Sequence, residues 1–309
     1  MVVIRYFEIL FLSKLPMFNF RTIIKLARPF NLLLVALTYT LGGGIAHYLG
    51  HPFQAAAFGM GLLVVLAIQG AADWLVEYFR LPLTPLAKDE MPRDRASFRI
   101  SLLQSATALL TVSGAIIATL LIARLLPLPA GIILGLIVFL FVAYAIPPLH
   151  LSDAGYGELI QAVALGTLFP AFAFLIQFGE LHRLLTFATF PLTLLALAYL
   201  LVSDFPNFIT DLKLGRHSLL TRLTWQRAIP IHHLLVLMSF LLFAFSPLLG
   251  FPWSLVWPVF MALPFAIIQI AWLQRIARGD RAQWRFIVPL SGAVFGTAVY
   301  LLALTFWIR

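Results

Sequence analysis

Cysteine is absent from this 309-residue chain and acid is scarce, with 12 Asp and Glu against 21 Lys and Arg. The first absence excludes a disulfide, a thiolate nucleophile and any cysteine-based metal site. The second argues against an ordinary soluble domain: charged residues make up 11% of the chain, where soluble domains carry about 25%. Low-complexity tracts and linkers are also missing, so the chain reads as a single domain over residues 1–309. A secretory signal is not expected, because the apolar run Ile9–Leu12 is too short and no small-residue cleavage site follows it. Residues 1–27 read instead as a basic interfacial segment that leads into the first hydrophobic run.

Hydrophobic residues are present in excess. They form 62% of the chain, with a mean hydropathy of +0.99, which makes this an integral membrane protein. A spanning helix needs about 20 mostly apolar residues. Nine runs qualify, at roughly 29–49, 54–78, 99–122, 128–146, 157–178, 185–203, 228–247, 253–274 and 286–308. Glycine and proline punctuate the gaps, as at Gly50-His51-Pro52, Pro147-Pro148 and Gly250 to Pro252. With nine spans, 18 of the basic residues fall on the N-terminal side of the membrane and only Arg124, Arg183 and Arg309 on the other. Positive charge collects on the cytoplasmic side, so the N-terminus is expected there. The net charge of +9 then reports topology and attraction to anionic lipid, not nucleic-acid binding.

Four of the few acids fall into two clusters at the same expected membrane face. One is Gln69 to Glu77, with Asp73 between them; the other is Asp204 to Asp211, with Asn207 between them. They end the second and sixth runs, and each passes into a long polar loop, residues 79–98 and 204–227. An ionised carboxylate near lipid is costly and marks a functional site by default. Gln69, Asp73 and Glu77 are four apart and share one helix face. Asp204, Asn207 and Asp211 share a face too if the helix continues past Pro206. Columns of oxygen ligands suit Mg²⁺, which is held by one or two carboxylates plus substrate phosphates. Lys88, Arg93 and Arg95 follow the first cluster, and Lys213, Arg216 and Arg222 follow the second. These cations are placed to balance phosphate oxygens. A diphosphate at the cytoplasmic mouth with an apolar tail between helices fits the whole pattern. The alternative is local ion pairing: Asp73 or Glu77 with Arg80, and Asp211 with Lys213 or Arg216.

These residues resemble the UbiA superfamily of intramembrane prenyltransferases over nearly the whole chain, from Ala27-Arg28-Pro29 to the ninth run. The strongest likeness runs from Ser203-Asp204-Phe205-Pro206-Asn207 through Asp211-Leu212-Lys213-Leu214-Gly215-Arg216-His217-Ser218-Leu219 to Arg222-Leu223. It is similar to the menaquinone-forming branch, as are Tyr144 to Leu149 and Gly155-Tyr156-Gly157-Glu158. The resemblance implies an all-α bundle of nine transmembrane helices with two aspartate-rich motifs that bind Mg²⁺-diphosphate. It implies Asp73 and Asp211 as catalytic, and Asp73, Glu77, Asp204 and Asp211 as metal ligands. Substrate contacts would come from Arg28, Gln69, Lys88, Arg93, Tyr144, Asn207, Lys213, Arg216 and Arg222. The chain departs from the family pattern at Gln69 (usually Asn) and Glu77 (usually Asp), or at Ala72 and Val76 in the alternative register, and at Asn207 (usually the first Asp of the second motif).

The implied reaction moves a polyprenyl group from its diphosphate to an aromatic acceptor, with 1,4-dihydroxy-2-naphthoate the leading acceptor. Trp74, Tyr78 or Tyr144 would face the allylic cation, or else pack or anchor at the interface. Other readings are a different acceptor, cyclisation of the prenyl chain, or a transporter or membrane binder. A transporter would place its ionisable groups near the midplane, whereas here they crowd one end. Three further features carry structural expectations. Gly42-Gly43-Gly44 allow close helix contact. His232-His233 belong at a helix start or interface, lacking the spacing of a helical metal pair. Glu158 is a favourable charge at a helix N-terminus or else a site residue, with the first reading preferred.

Overall fold

A computed structural model describes residues 26–80 and 95–309, with side chains described for all of these except 95–97. Residues 1–25 of the expected interfacial segment, and Lys88 and Arg93 in the loop 79–98, lie outside the described residues. Among the described residues nine helices are long and apolar enough to cross a membrane. They are α1 (Pro29–Tyr48), α2 (Ala55–Phe79), α3 (Arg95–Ile122), α4 (Leu128–Ala145), α5 (Gly157–Phe178), α6 (Arg183–Leu214), α7 (Trp225–Leu249), α8 (Trp253–Ala277) and α9 (Trp284–Ile308). All nine lie where the apolar runs predict them. The helix starts follow local chemistry, with Pro29 in the first turn of α1, where a missing N–H costs nothing.

Four helices are not uniform: α7 ends in a 3-10 turn, Ser246–Leu249, α8 carries a 3-10 stretch, Trp257–Ala262, and the other two, α5 and α6, carry residues of the acidic end. α5 carries a π turn over Ala164–Leu168 between its two α-helical stretches. α6 is interrupted by a 3-10 turn, Phe205–Asn207, before the α-helix resumes over Phe208–Leu214. The 3-10 turn of α6 interrupts the single α-helical face expected for Asp204, Asn207 and Asp211 if the helix continued past Pro206, although Asp204 and Asp211 remain electrostatic neighbours. Proline at position 206 has no N–H to give the α-helical ladder, and the chain tightens to pass it.

α5 is the hub. It packs against α1, α2, α4 and α6, and most of it is buried. α6 lies against α5, α7 and α9, while α9 in turn bridges α1, α6 and α8. α3 packs chiefly on α2 and leaves most of its surface to lipid. The core is built from large rings that are shielded completely, including Tyr39 of α1 and Phe169, Phe172 and Phe174 of α5. Apolar burial drives no helix association in lipid, so close packing must do it. The glycine triplet in α1 supplies that packing. A Cβ on Gly42 would strike the Pro170 carbonyl of α5, one on Gly43 the Phe58 ring of α2, and one on Gly44 the Trp307 indole of α9. At the π turn, Gly166 sits directly on the backbone of Thr193 in α6, and the hydroxyls of Thr167 and Thr193 hydrogen-bond at 2.7 Å.

The adjacent histidines depart from expectation. His232 is not interfacial: it is completely buried in α7, and Gln269 Nε2 of α8 donates to its Nε2 at 2.9 Å. The imidazole cross-links two helices inside the bundle, where a lone polar group would be costly.

Candidate functional site

The first acidic cluster keeps the geometry its spacing predicts, because α2 is unbroken through Phe79. Gln69, Asp73 and Glu77 lie on one face with 0, 1 and 3% of their surface exposed. Gln69 Nε2 donates to Asp73 Oδ2 at 3.2 Å. Glu77 is the residue that pairs with arginine: its Oε2 is 2.8 Å from Arg80 Nη1, and its Oε1 is 3.6 Å from Arg28 Nη2. Among the described residues Asp73 makes no such close contact, although it is the leading acidic charge acting on Arg28. Asp73 Oδ1 and Gln69 Oε1 are buried without a hydrogen-bond partner among the described residues. An unmet buried acceptor costs about 1–3 kcal/mol, so these oxygens are poised for a cation or a donor.

Arg28 reaches this cluster from the start of α1. Its backbone is left-handed (φ 47°), a conformation that costs a non-glycine residue about 1 kcal/mol. Such strain concentrates at functional positions. Desolvation works against its charge, but Asp73, then Tyr144, Glu77 and Asp204, outweigh it and raise its pKa. Arg80 is different: desolvation dominates and lowers its pKa, with Glu77 opposing. It remains cationic.

The second cluster is split by the 3-10 turn. Asp204, at the end of the long stretch of α6, meets the carboxyl group of Glu158 in the first turn of α5. Glu158 is itself buried. Its Oε1 accepts from the backbone N–H of Leu219 at 2.8 Å, and its Oε2 has no hydrogen-bond partner among the described residues. Of the two roles open to Glu158, helix-terminus charge and site residue, its place beside Asp204 adds the second. Asp211, past the turn, is buried against Arg216. The cause is local. Gly215 ends α6 in a left-handed conformation (φ 68°), and Arg216 N–H donates to the Asp211 carbonyl at 2.9 Å. This closing turn folds Arg216 back so that its Nη1 lies 3.4 Å from Asp211 Oδ1. Asn207 and Lys213 are exposed at the mouth.

Two loops complete this end of the bundle. Residues 146–156, between α4 and α5, dock on residues 215–222 after α6. Ala154 and His217 form a parallel β-bridge, and Arg216 Nε and Nη2 donate to Asp153 Oδ1 at 3.3 and 3.1 Å. Burial works against the charge on Arg216, but Asp153 and then Asp211 outweigh it and raise its pKa. Arg222 lies 4.6 Å over the Tyr156 ring and packs on Gly155, so it joins the loops and stands apart from the acids.

Of the three aromatics considered for the cation, Tyr144 alone sits among the charged groups, near Gln161, Arg28 and Asp73. Trp74 packs against Leu102 of α3, and the Tyr78 ring contacts Phe79. Tyr199 was not foreseen: its hydroxyl donates to Asn31 Oδ1 at 2.8 Å beside this cluster. Asp153, Gln161 and Asn31 were missed too. Only Gln161 and Asn31 had a readable signal, as polar residues inside apolar runs.

Among the described residues no three acidic or histidine side chains are gathered closely enough to form a metal site by themselves. The donors at hand are nonetheless all oxygen: the open atoms of Gln69, Asp73 and Glu158, with Asp204 beside the last. That set suits a hard divalent cation that takes its remaining ligands from a bound substrate.

Residues 90–307 match the profile of the UbiA prenyltransferase family. Among solved structures, the chain resembles a UbiA homolog from Archaeoglobus fulgidus bound to GPP and Mg²⁺, with a TM-score of 0.63 and 16% identity over 93% of this chain and 98% of that one. The same homolog bound to DMAPP and Mg²⁺ gives a TM-score of 0.59 at 16% identity, over 91% of this chain and 99% of that one. A structure of digeranylgeranylglyceryl phosphate synthase gives 0.57 at 14% identity, over 94% and 97%. At these identities the likeness establishes the fold. Among curated protein sequences none matches the chain.

Proposed function

The chain belongs to the UbiA prenyltransferase family, and on that footing we propose that it transfers a polyprenyl group from polyprenyl diphosphate to an aromatic acceptor, acting as one membrane domain. The observation that carries the reading is the gathering at one end of the bundle. Arg28, Arg80 and Arg216 stand there beside Asp73, Glu77, Glu158, Asp204 and Asp211, with buried oxygens left open. A site of this composition binds a polyanion together with a divalent cation. The relatives' structures with GPP or DMAPP and Mg²⁺ support the same chemistry.

Asp73, Glu77, Asp204 and Asp211 would hold Mg²⁺, and the ion would neutralise charge on the departing diphosphate. Arg28 and Arg80, already turned toward Glu77, donate to phosphate oxygens, as does Arg216. Fixed donors of this kind stabilise charge as it develops. Gln69 orients Asp73 through their hydrogen bond. Tyr144 offers a ring face to the allylic cation. Lys213 and Asn207, both exposed, would guide the incoming diphosphate, and the resemblance gives the same role to Lys88 and Arg93, which lie outside the described residues. The acceptor ring forms the new carbon–carbon bond and releases a proton. The likeness of Tyr144–Leu149, Gly155–Glu158 and Asp211–Leu219 to the menaquinone branch favours 1,4-dihydroxy-2-naphthoate as acceptor. The 18-to-3 division of basic residues favours a cell-membrane protein whose site faces the cytoplasm.

The test is direct. Membranes carrying the protein are incubated with labelled farnesyl or geranylgeranyl diphosphate, Mg²⁺ and a panel of acceptors that includes 1,4-dihydroxy-2-naphthoate, 4-hydroxybenzoate and a prenylated glycerol phosphate. A prenylated naphthoate that disappears with EDTA is expected. Absence of product with every acceptor would remove the reading.

A further inference from the structure

Asp153 has no place in the reaction just described, yet it makes the closest contacts of any carboxylate to Arg216. Its Oδ1 accepts from both Nε and Nη2, at 3.3 and 3.1 Å. Arg216 turns only its remaining Nη1 toward Asp211, at 3.4 Å. A guanidinium has two edges suited to a carboxylate, and a two-bond pair on either is the favoured arrangement. Here Asp153 occupies the Nε edge. Asp211 receives one long contact, and its Oδ2 carries no hydrogen bond or ion pair to the described residues.

The backbone enforces this division. Ala154 and His217 are bridged, so their neighbours Asp153 and Arg216 are held together. His150 Nδ1 lies 3.7 Å from Asp153 Oδ2, on the far side of the carboxylate. Without Asp153, Arg216 would be free to close on Asp211 with two bonds, since the turn at Gly215 already folds it that way.

We infer that Asp153 is a positioning residue, which holds Arg216 by its Nε edge and so keeps Asp211 open for a metal-bound diphosphate. This rests on the diphosphate reading above and adds to it a residue outside both acidic clusters.

The experiment compares Asp153→Asn, Asp153→Glu, Arg216→Gln and the double variant Asp153→Asn/Arg216→Gln in the full chain. The first readout is binding of a non-hydrolysable prenyl thiodiphosphate by calorimetry across a Mg²⁺ titration. The second is steady-state prenyl transfer. Asp153→Asn should raise the Mg²⁺ concentration for half-maximal binding about tenfold. KM for the diphosphate should rise in step while kcat stays within about twofold, and Asp153→Glu should recover most of the loss. The double variant should bind no worse than Arg216→Gln, because Asp153 acts through that side chain. An unchanged Mg²⁺ requirement, a fall in kcat alone, or multiplied losses in the double variant would each overturn the inference. Thiodiphosphate binding by the unsubstituted chain without any product would sink the acceptor chemistry and leave Asp153 to be judged by binding. No binding at all would overturn both.

Discussion

The acidic clusters of α2 and α6 have similar spacing in sequence and different construction in space. Gln69, Asp73 and Glu77 stand on one unbroken helix, almost wholly buried, and any two of them stay in register because the helix holds them there. Asp204 and Asp211 are separated by the 3-10 turn at Pro206, and each finds its partner on another element: Glu158 from α5, and Arg216 from the loop that follows. The first cluster is therefore a property of one helix. The second is a property of the packing, and it exists only while α5 and two loops hold their places. Periodicity predicts a shared face only as far as the helix that generates it.

Four substitutions probe that difference. The largest loss is expected from Asp73→Asn, which preserves the column's shape and removes the carboxylate that makes no close arginine contact among the described residues. Prenyl transfer should fall by about 10²–10³-fold, with the protein still monodisperse after extraction; near-normal turnover would show that the α2 column holds no metal. Glu158→Gln comes next. The amide oxygen can still accept from Leu219, but the charge beside Asp204 is gone, and metal affinity should drop by about 10–100-fold in a Mg²⁺ titration. Equal Mg²⁺ requirements in variant and parent would reduce Glu158 to a loop anchor. Third is Pro206→Ala, which permits the α6 ladder to close. It should leave thermal stability unchanged or raised while kcat/KM falls about tenfold, corresponding to a change of about 1.4 kcal/mol, because Asp211 turns away from Arg216. If activity rises, the break serves nothing. The smallest effect belongs to Asn207→Ala. Its side chain is exposed, and kcat/KM should stay within about twofold.

What was legible in the sequence follows the same division. Lipid demands long apolar runs, so all nine spans could be placed, although α6 runs on to Leu214, into the segment expected as a polar loop. The α2 column was legible because its geometry is local. Pairing of Glu77 with Arg80 was open as an alternative, and the structure assigns it to Glu77 and leaves Asp73 apart. Glu158 was visible as a helix-start acid, but its neighbour Asp204 is 46 positions away and no periodicity links them. Asp153 is a single acid in a turn, and only the bridge between Ala154 and His217 gives it meaning. His232 was misplaced because an imidazole near a helix start is ordinarily interfacial, and only tertiary packing supplies Gln269 as a partner.

The π turn of α5 has a consequence for phase. An α-helix advances about 100° per residue, and a π turn accommodates one residue more than the ladder needs. The aromatic half of α5, with Phe169, Phe172 and Phe174, is thus set independently of the end that carries Glu158. A chain one residue shorter between Ala164 and Leu168 could form a regular helix and bury the same rings, yet it would swing Glu158 about 100° around the axis and away from Asp204. The irregular turn works as a coupling that lets the lipid-embedded part of the hub be shaped by packing while its polar end is aimed by chemistry.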